Sequence, residues 1–152
     1  MPNLTLALNA LSENLKETTI PVDGVVDKNG KESNYLLTIE SSKHKLKLKV
    51  EDKPILEIFL KLYCKISDHD IEGSSESLSQ NMPLPKEVKD KTEQLLTSDI
   101  TRLVQTSIST DCDFLGLKEK LYRFNHKQYS LYKDNLLSKM GVKISVIVDG
   151  QK

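Results

Sequence analysis

In the stretch ILEIFLKLYCKI, residues 55–66, apolar side chains alternate with charged or aromatic ones. Its even-numbered positions carry only apolar side chains, namely Leu56, Ile58, Leu60, Leu62, Cys64 and Ile66. After Ile55, its odd-numbered positions mix charged and aromatic side chains, namely Glu57, Phe59, Lys61, Tyr63 and Lys65. Because successive side chains of a strand point to opposite faces of a sheet, this period predicts a long strand with one side on a hydrophobic core.

The same alternation occurs before this strand and near the end of the sequence. Upstream, NYLLTIE (34–40) leads through SSKH into KLKLKV (45–50), whose lysines share one face of a strand. EDKP (51–54) predicts a turn, and VKISVIV (142–148) predicts a last strand. Together these segments predict an antiparallel sheet of about four strands. The lysine face is interpreted as a solvent face, with a docking surface as the alternative.

Helical spacing of apolar residues marks the remaining elements. LTLALNALSENL (4–15) predicts a short amphipathic helix, and residues 83–110 predict a long one. Asp113 is expected to cap a further helix. The apolar stripe of that helix is predicted to be Phe114, Leu117, Leu121 and Phe124. A last helix is predicted to carry Tyr129, Tyr132, Leu136 and Met140 on one side and to end at Gly141. Strands, then helices, then a strand predict an α+β fold with about three helices packed on one face of the sheet.

The chain is expected to divide after residue 34. Residues 1–34 combine the short helix with TTIPVDGVVDKNGKESN (18–34), a turn-rich segment that is interpreted as the remnant of a preceding domain. Residues 35–152 are expected to form the α+β domain. Within that domain, the polar and serine-rich residues 67–82 predict a solvated loop.

Composition restricts the classes of partner. The 152 residues include 22 basic and 22 acidic side chains, and this neutral balance argues against a nucleic-acid partner. No basic region precedes LTLALNAL, and no window reaches about 18 apolar residues. The sequence is therefore expected to encode no signal peptide and no membrane anchor of its own. Expressed alone, the chain is expected to be a soluble cytoplasmic protein.

The residue types that usually carry catalysis are sparse. Asp68, His69 and Asp70 offer possible metal ligands, but they lie in the predicted loop, whereas a zinc site requires three or four ligands on rigid elements. Cys64 lies on the apolar face of its strand and is interpreted as a small buried hydrophobic residue. Cys112 beside a helix start leaves a small thiol enzyme or hydrolase as an alternative function. We expect no cofactor and no catalytic site.

The final segment carries a family resemblance. Residues 111–150 resemble the C-terminal domain of the Ger(x)C proteins, the lipoprotein C subunits of spore germinant receptors. The family's Asp-Ile-Phe-Gly-Phe-Gly run matches Asp113 to Lys118, which places its first glycine at Gly116. The helix arginine of the family matches Arg123, the first aromatic residue of its next helix matches Tyr129, and its terminal glycine matches Gly150. In order and spacing, the resemblance extends over residues 35–150.

Three positions depart from the family pattern. Lys118 replaces the second glycine of the motif, Leu136 stands where a tryptophan is expected, and Asp149 replaces an arginine. The resemblance also implies that Gly116 belongs to a helix start that passes close to another element, which glycine permits because it has no Cβ. A glycine tolerated in a frayed first turn is the alternative.

The resemblance implies a non-enzymatic subunit domain that acts in spore germination through protein–protein interaction in a membrane complex. The implied partners are the integral-membrane subunits of the germinant receptor, and the implied place is the outer face of the spore inner membrane, which the family reaches through a lipid anchor. A truncated gene product without an independent function is a further alternative.

Overall fold

The computed structural model describes residues 4–12, 15–50, 53–70, 84–110, 112–113, 115–124, 126–132, 134 and 136–150. Within these ranges the elements follow one another as α1 (Leu4–Ser12), β1 (Thr18–Val26), β2 (Glu32–Val50), β3 (Pro54–Asp70), α2 (Lys86–Thr110), α3 (Leu117–Phe124), α4 (His126–Tyr132), α5 (Leu136–Lys139) and β4 (Gly141–Asp149). The predicted α+β class is confirmed.

The described strands form one four-stranded sheet in the order β1-β2-β3-β4. β1 runs antiparallel to β2, with Thr18 opposite Ile39 and Val26 opposite Glu32. β4 runs parallel to β3, because Gly141 lies beside Ile55 near the start of both strands and Asp149 reaches Lys61 further along both. The sheet is therefore mixed, and the prediction of a wholly antiparallel sheet is wrong. Parallel neighbours need a long crossover connection, which contains α2 to α5.

The predicted sidedness of β3 is confirmed. Its apolar face is buried, since none of Leu56, Ile58, Leu60, Leu62 and Cys64 is more than 2% exposed. The opposite face remains half-buried or exposed. The strand continues to Asp70, so the predicted loop at residues 67–82 begins too early, and residues 71–83 lie outside the described ranges.

The turn-rich segment contains a strand that the sequence did not predict. β1 includes Pro21 and a register shift between Val22 and Val25. Gly24 lies at this shift with φ +71°, and its N–H donates a 3.0 Å hydrogen bond to the Asn34 side chain. An edge strand tolerates a proline and a glycine-containing bulge, because its outer side has no ladder to maintain. The division of the chain after residue 34 stays a prediction.

The helices also differ from their predicted bounds. The long helix is present as α2, and the Pro85 carbonyl accepts hydrogen bonds from the backbone N–H groups of Val88 and Lys89 at its start. The predicted last helix is two short ones, α4 and α5. Gly141 begins β4, and it is not among the glycines with positive φ, so it does not end a helix in the left-handed conformation that was expected.

The chain divides into two compact units, and each has its own buried residues. Unit 1 comprises Met1–Glu13, His44–Leu60 and Thr97–Ser145, and unit 2 comprises Asn14–Lys43, Lys61–Leu96 and Val146–Lys152. The buried apolar residues of unit 1 include Ala7, Leu11, Leu56, Leu60, Ile100, Leu117, Leu121, Leu136 and Leu137. Those of unit 2 include Ile20, Val22, Leu37, Ile39, Leu62, Val88, Leu96 and Val148.

Candidate interaction surface

Asp113 fixes the start of α3 in unit 1. One carboxylate oxygen accepts a 2.9 Å hydrogen bond from the N–H of Leu117, and the other accepts a 2.9 Å bond from the N–H of Lys118. These are N–H groups of the first helical turn, which have no partner within the helix, and a negative charge there also favours the helix dipole. The predicted capping role of Asp113 therefore agrees with the geometry, although α3 begins at Leu117.

Gly116 lies immediately before α3 in the left-handed conformation, with φ +66°. Its N–H donates to the Asp113 carbonyl at 3.2 Å, and its carbonyl accepts the N–H of Lys120 at 3.2 Å. No described atom outside its chain neighbours lies within 4 Å of the place that a Cβ would occupy. The expectation of a close approach to another element is therefore wrong. The backbone conformation accounts for the glycine, because left-handed φ is costly for residues with a Cβ.

We expect Gly116→Ala to lower the free energy of unfolding by about 1–2 kcal/mol, because alanine is strained in the left-handed region. Gly116→Asn should cost less, since asparagine tolerates this region better. Denaturant midpoints at unchanged slope measure both effects. An alanine variant that is as stable as the wild type would contradict the positive φ.

Three rings form a cluster across α3 and α4. Tyr122 meets His126 and Tyr129 edge-on, with both centroid distances at 5.0 Å. His126 and Tyr129 are stacked at 6.0 Å. Tyr122 remains 53% exposed. We call these three residues the aromatic cluster. Within it, the motif position Tyr129 contacts Tyr122 near the end of α3.

The end of α3 exposes a phenylalanine that the sequence analysis placed in the apolar stripe of the helix. Leu117 and Leu121 are buried as predicted, but Phe124 is 85% exposed. Leu131 on α4 is 67% exposed. The motif position Arg123 forms a 2.8 Å ion pair with Glu119, and both side chains are about two-thirds exposed to solvent. α3 and α4 thus carry three exposed apolar or aromatic side chains, Tyr122, Phe124 and Leu131.

A groove lies beside this surface in unit 1. Its volume is about 250 Å³, and it is lined by Leu46, Lys47, Leu48, Lys120, Leu121 and Phe124. We call it the β2–α3 groove. The sequence did not predict it, because residues 46–48 were interpreted as a strand facing solvent with its lysines, and Phe124 was assigned to the core.

The last motif position, Gly150, belongs to unit 2, whereas the other four belong to unit 1. A Cβ at Gly150 would stand 3.1 Å from the Leu84 Cβ and 3.3 Å from the Leu84 backbone nitrogen. Just before it, Asp149 lies 3.5 Å from the Lys61 ammonium and 4.0 Å from that of Lys89. The close approach that was expected at Gly116 therefore occurs at Gly150. The functional roles of all five motif positions stay predictions.

The two cysteines are free and differ in environment. Cys64 is buried, and its burial, together with the nearby Glu40 carboxylate, raises the pKa of its thiol to about 12. A protonated thiol is a poor nucleophile, so Cys64 fits the predicted role of a small core residue. Cys112 is exposed; its N–H donates to the Ser107 carbonyl at 3.0 Å, and its carbonyl accepts the Ser107 hydroxyl. A thiol activity of Cys112 stays an untested alternative.

Neither a metal cluster nor a membrane-spanning helix occurs in the part of the chain that the structure describes. No three His, Cys, Asp or Glu side chains in these ranges meet in a group that could hold a metal ion. The side chains of Asp68, His69 and Asp70 lie outside the described residues. The described helices are too short or too polar to cross a bilayer.

Comparison with known proteins identifies the family. Residues 2–150 match the sequence model of the family described as spore germination B3/GerAC-like, C-terminal. The chain therefore belongs to this family, and the family resemblance found in its sequence is confirmed. No curated protein sequence matches the chain.

A solved structure shares the fold. It is described as the crystal structure of the GerBC protein, and it superposes with a TM-score of 0.70 at 15% sequence identity. The match covers 98% of this chain and 45% of that one, so the chain spans less than half the length of the solved protein.

Proposed function

We propose that the chain acts in spore germination as a non-catalytic subunit domain of a germinant receptor. In this role it binds the integral-membrane subunits of the receptor at the outer face of the spore inner membrane. The observation that carries the proposal is the exposure of Tyr122, Phe124 and Leu131 on α3 and α4. These helices also carry the family-motif residues Arg123 and Tyr129.

These exposed side chains contact water, and covering them with a partner is energetically favourable. Removing apolar surface from water is worth about 25 cal/mol per Å², so an 85% exposed Phe124 leaves a large part of this gain unused in the isolated domain. Aromatic residues are also enriched at the centres of protein interfaces. A partner that covers α3 and α4 would recover this free energy without any rearrangement of the buried residues of unit 1.

Membership of the spore-germination family gives the proposal its biological setting. The match covers 45% of the GerBC structure, so that protein contains residues beyond the shared fold. We propose that this domain contributes binding contacts to the receptor and no chemical step.

The test is co-purification of the tagged chain with the integral-membrane receptor subunits from the same source, co-expressed in one host. We expect the wild type to co-purify and Phe124→Ser/Leu131→Ser to lose most of the bound partner, because both substitutions remove exposed apolar contacts. Val26→Ser is the matched control, since Val26 is 55% exposed but lies on β1. Circular dichroism must show that both variants are folded like the wild type. Equal recovery by the double variant, or no recovery by the wild type, would refute the proposed function.

A further inference from the structure

The second half of β2 has an unpaired edge. β1 pairs with β2 only from Glu32 to Ile39, and β3 is the neighbour on the other side. On the side away from β3, residues 44–50, which belong to unit 1, therefore have no partner strand within the described ranges. Such an edge presents a row of backbone N–H and C=O groups that an extended segment can pair with.

The β2–α3 groove runs along this strand backbone. Its β2 lining consists of three consecutive residues, Leu46, Lys47 and Leu48. Neighbouring side chains of a strand point to opposite faces, so a groove that contacts all three lies along the strand edge and not on one face. The far wall is α3, through Lys120, Leu121 and Phe124.

The lining of the groove defines the chemistry of its occupant. Leu46, Leu48 and Phe124 form the apolar part of the lining, and none of the three is fully buried. Lys47 and Lys120 bring two positive charges, and neither has an ion-pair partner among the described residues, whereas the neighbouring Lys49 is paired with Glu57 at 3.2 Å. A concave site of this kind accommodates an inserted side chain, which a flat lipid surface does not supply.

We propose that the β2–α3 groove binds an extended segment of a partner subunit in which acidic and apolar residues alternate. The segment adds to the free edge of β2 as a strand. Its apolar side chains enter the groove, and its carboxylates meet Lys47 and Lys120. The inference rests on the proposed function, because it specifies where and how a receptor subunit contacts this domain.

The probe is a fluorescein-labelled seven-residue peptide in which glutamate alternates with valine, and its binding to the full chain is followed by fluorescence anisotropy. We expect this peptide to bind about tenfold more tightly than the same peptide with lysine in place of glutamate, since two charge pairs change from attraction to repulsion. The binding should weaken as salt is raised. A peptide with N-methylated backbone should lose binding, because it cannot donate to the edge of β2.

Charge reversal provides the matched test of position. Lys47→Glu/Lys120→Glu should prefer the lysine peptide, whereas Lys127→Glu/Lys139→Glu, at two exposed lysines outside both the groove lining and β2, should keep the preference of the wild type. All four substituted side chains belong to surface lysines, so the fold should tolerate these changes. An unchanged preference in Lys47→Glu/Lys120→Glu would overturn the assignment of the groove.

The remaining outcomes separate this inference from the proposed function. If the chain co-purifies with receptor subunits but neither peptide binds at about 1 mM, the groove proposal is wrong and the proposed function stands. If the glutamate peptide binds but no receptor subunit co-purifies, the proposed function is wrong. Binding to phosphatidylserine vesicles without peptide binding, or dimerisation that Lys47→Glu/Lys120→Glu abolishes, would overturn the proposal in favour of a lipid surface or a second copy of the chain.

Discussion

Leu60→Ala is expected to lower the free energy of unfolding by about 2–5 kcal/mol, the largest stability change that we predict. Leu60 lies near the middle of β3 and is fully buried. Truncation to alanine removes buried methyl groups and leaves a cavity that the surrounding side chains fill only in part. Because a small domain is stable by only about 5–15 kcal/mol, such a loss should be visible as a clear decrease in the denaturant midpoint.

Phe124→Ala is the control for this prediction. Phenylalanine is larger than leucine, so a buried Phe124 would lose even more stability on truncation. At 85% exposure, however, the substitution should change the free energy of unfolding by no more than about 0.5 kcal/mol. A loss at Phe124 comparable to that at Leu60 would show that α3 packs in the way its sequence suggested, with Phe124 in the core.

Gly150→Val is expected to cost about 1–3 kcal/mol through overpacking. Any Cβ at this position would press on Leu84, with contacts of 3.1 Å to the Cβ and 3.3 Å to the backbone nitrogen. Leu84 is only 7% exposed, and one of the two atoms belongs to the backbone, so neither neighbour can move aside freely. Equilibrium denaturation of Gly150→Ala and Gly150→Val should show losses that increase in that order.

Gly30→Ala separates steric crowding from backbone strain. Gly30 has φ +80° and no described atom within 4 Å of a Cβ, so its substitution cost comes from backbone strain alone. The loss of stability at Gly150 should therefore increase with the size of the side chain. At Gly30, the alanine variant should lose more stability than the asparagine variant, because asparagine tolerates positive φ better. A Gly150→Val variant as stable as the wild type would contradict the close packing of β4 against Leu84.

The elements that were predicted correctly from the sequence are those whose pattern is set by the burial of one face. In β3, burial of one face imposes strict alternation, and the buried residues from Leu56 to Cys64 were all predicted. The long amphipathic α2 was predicted for the same reason, since its apolar stripe follows the helical period. The direction of β4 was not, because alternation identifies a strand and one buried face but carries no information on whether its neighbour is parallel.

Local residue chemistry misled the prediction of β1. Pro21, Asp23 and Gly24 are typical of turns, and in this chain they lie in an edge strand that contains a bulge. The real turn follows, where the Asp27 carboxylate accepts the N–H groups of Asn29 and Lys31 at 2.8 and 2.9 Å. Pairing with β2 provides the long-range hydrogen bonds that a window of sequence does not reveal.

The candidate surface was predicted only in part. The family resemblance singled out α3 and α4 through Arg123 and Tyr129, and the capping role of Asp113 followed from helix chemistry. The β2–α3 groove depends on residues that are far apart in sequence, 46–48 and 120–124, so no local pattern could indicate it. Phe124 was assigned to the core because its spacing from Leu121 is helical, but α3 ends at Phe124 and leaves its side chain outside.

The parallel pairing of β3 with β4 has a consequence for the speed of folding. β2 and β3 are joined across residues 51–53, so their hairpin needs only a short loop to close and can form in about 1–10 μs. β4 pairs with β3 only after residues 71–140 have closed a much longer loop, whose entropy must be lost before the contacts form. The hairpin and α2 should therefore assemble first, and the addition of β4 should limit the rate at which the native sheet is completed.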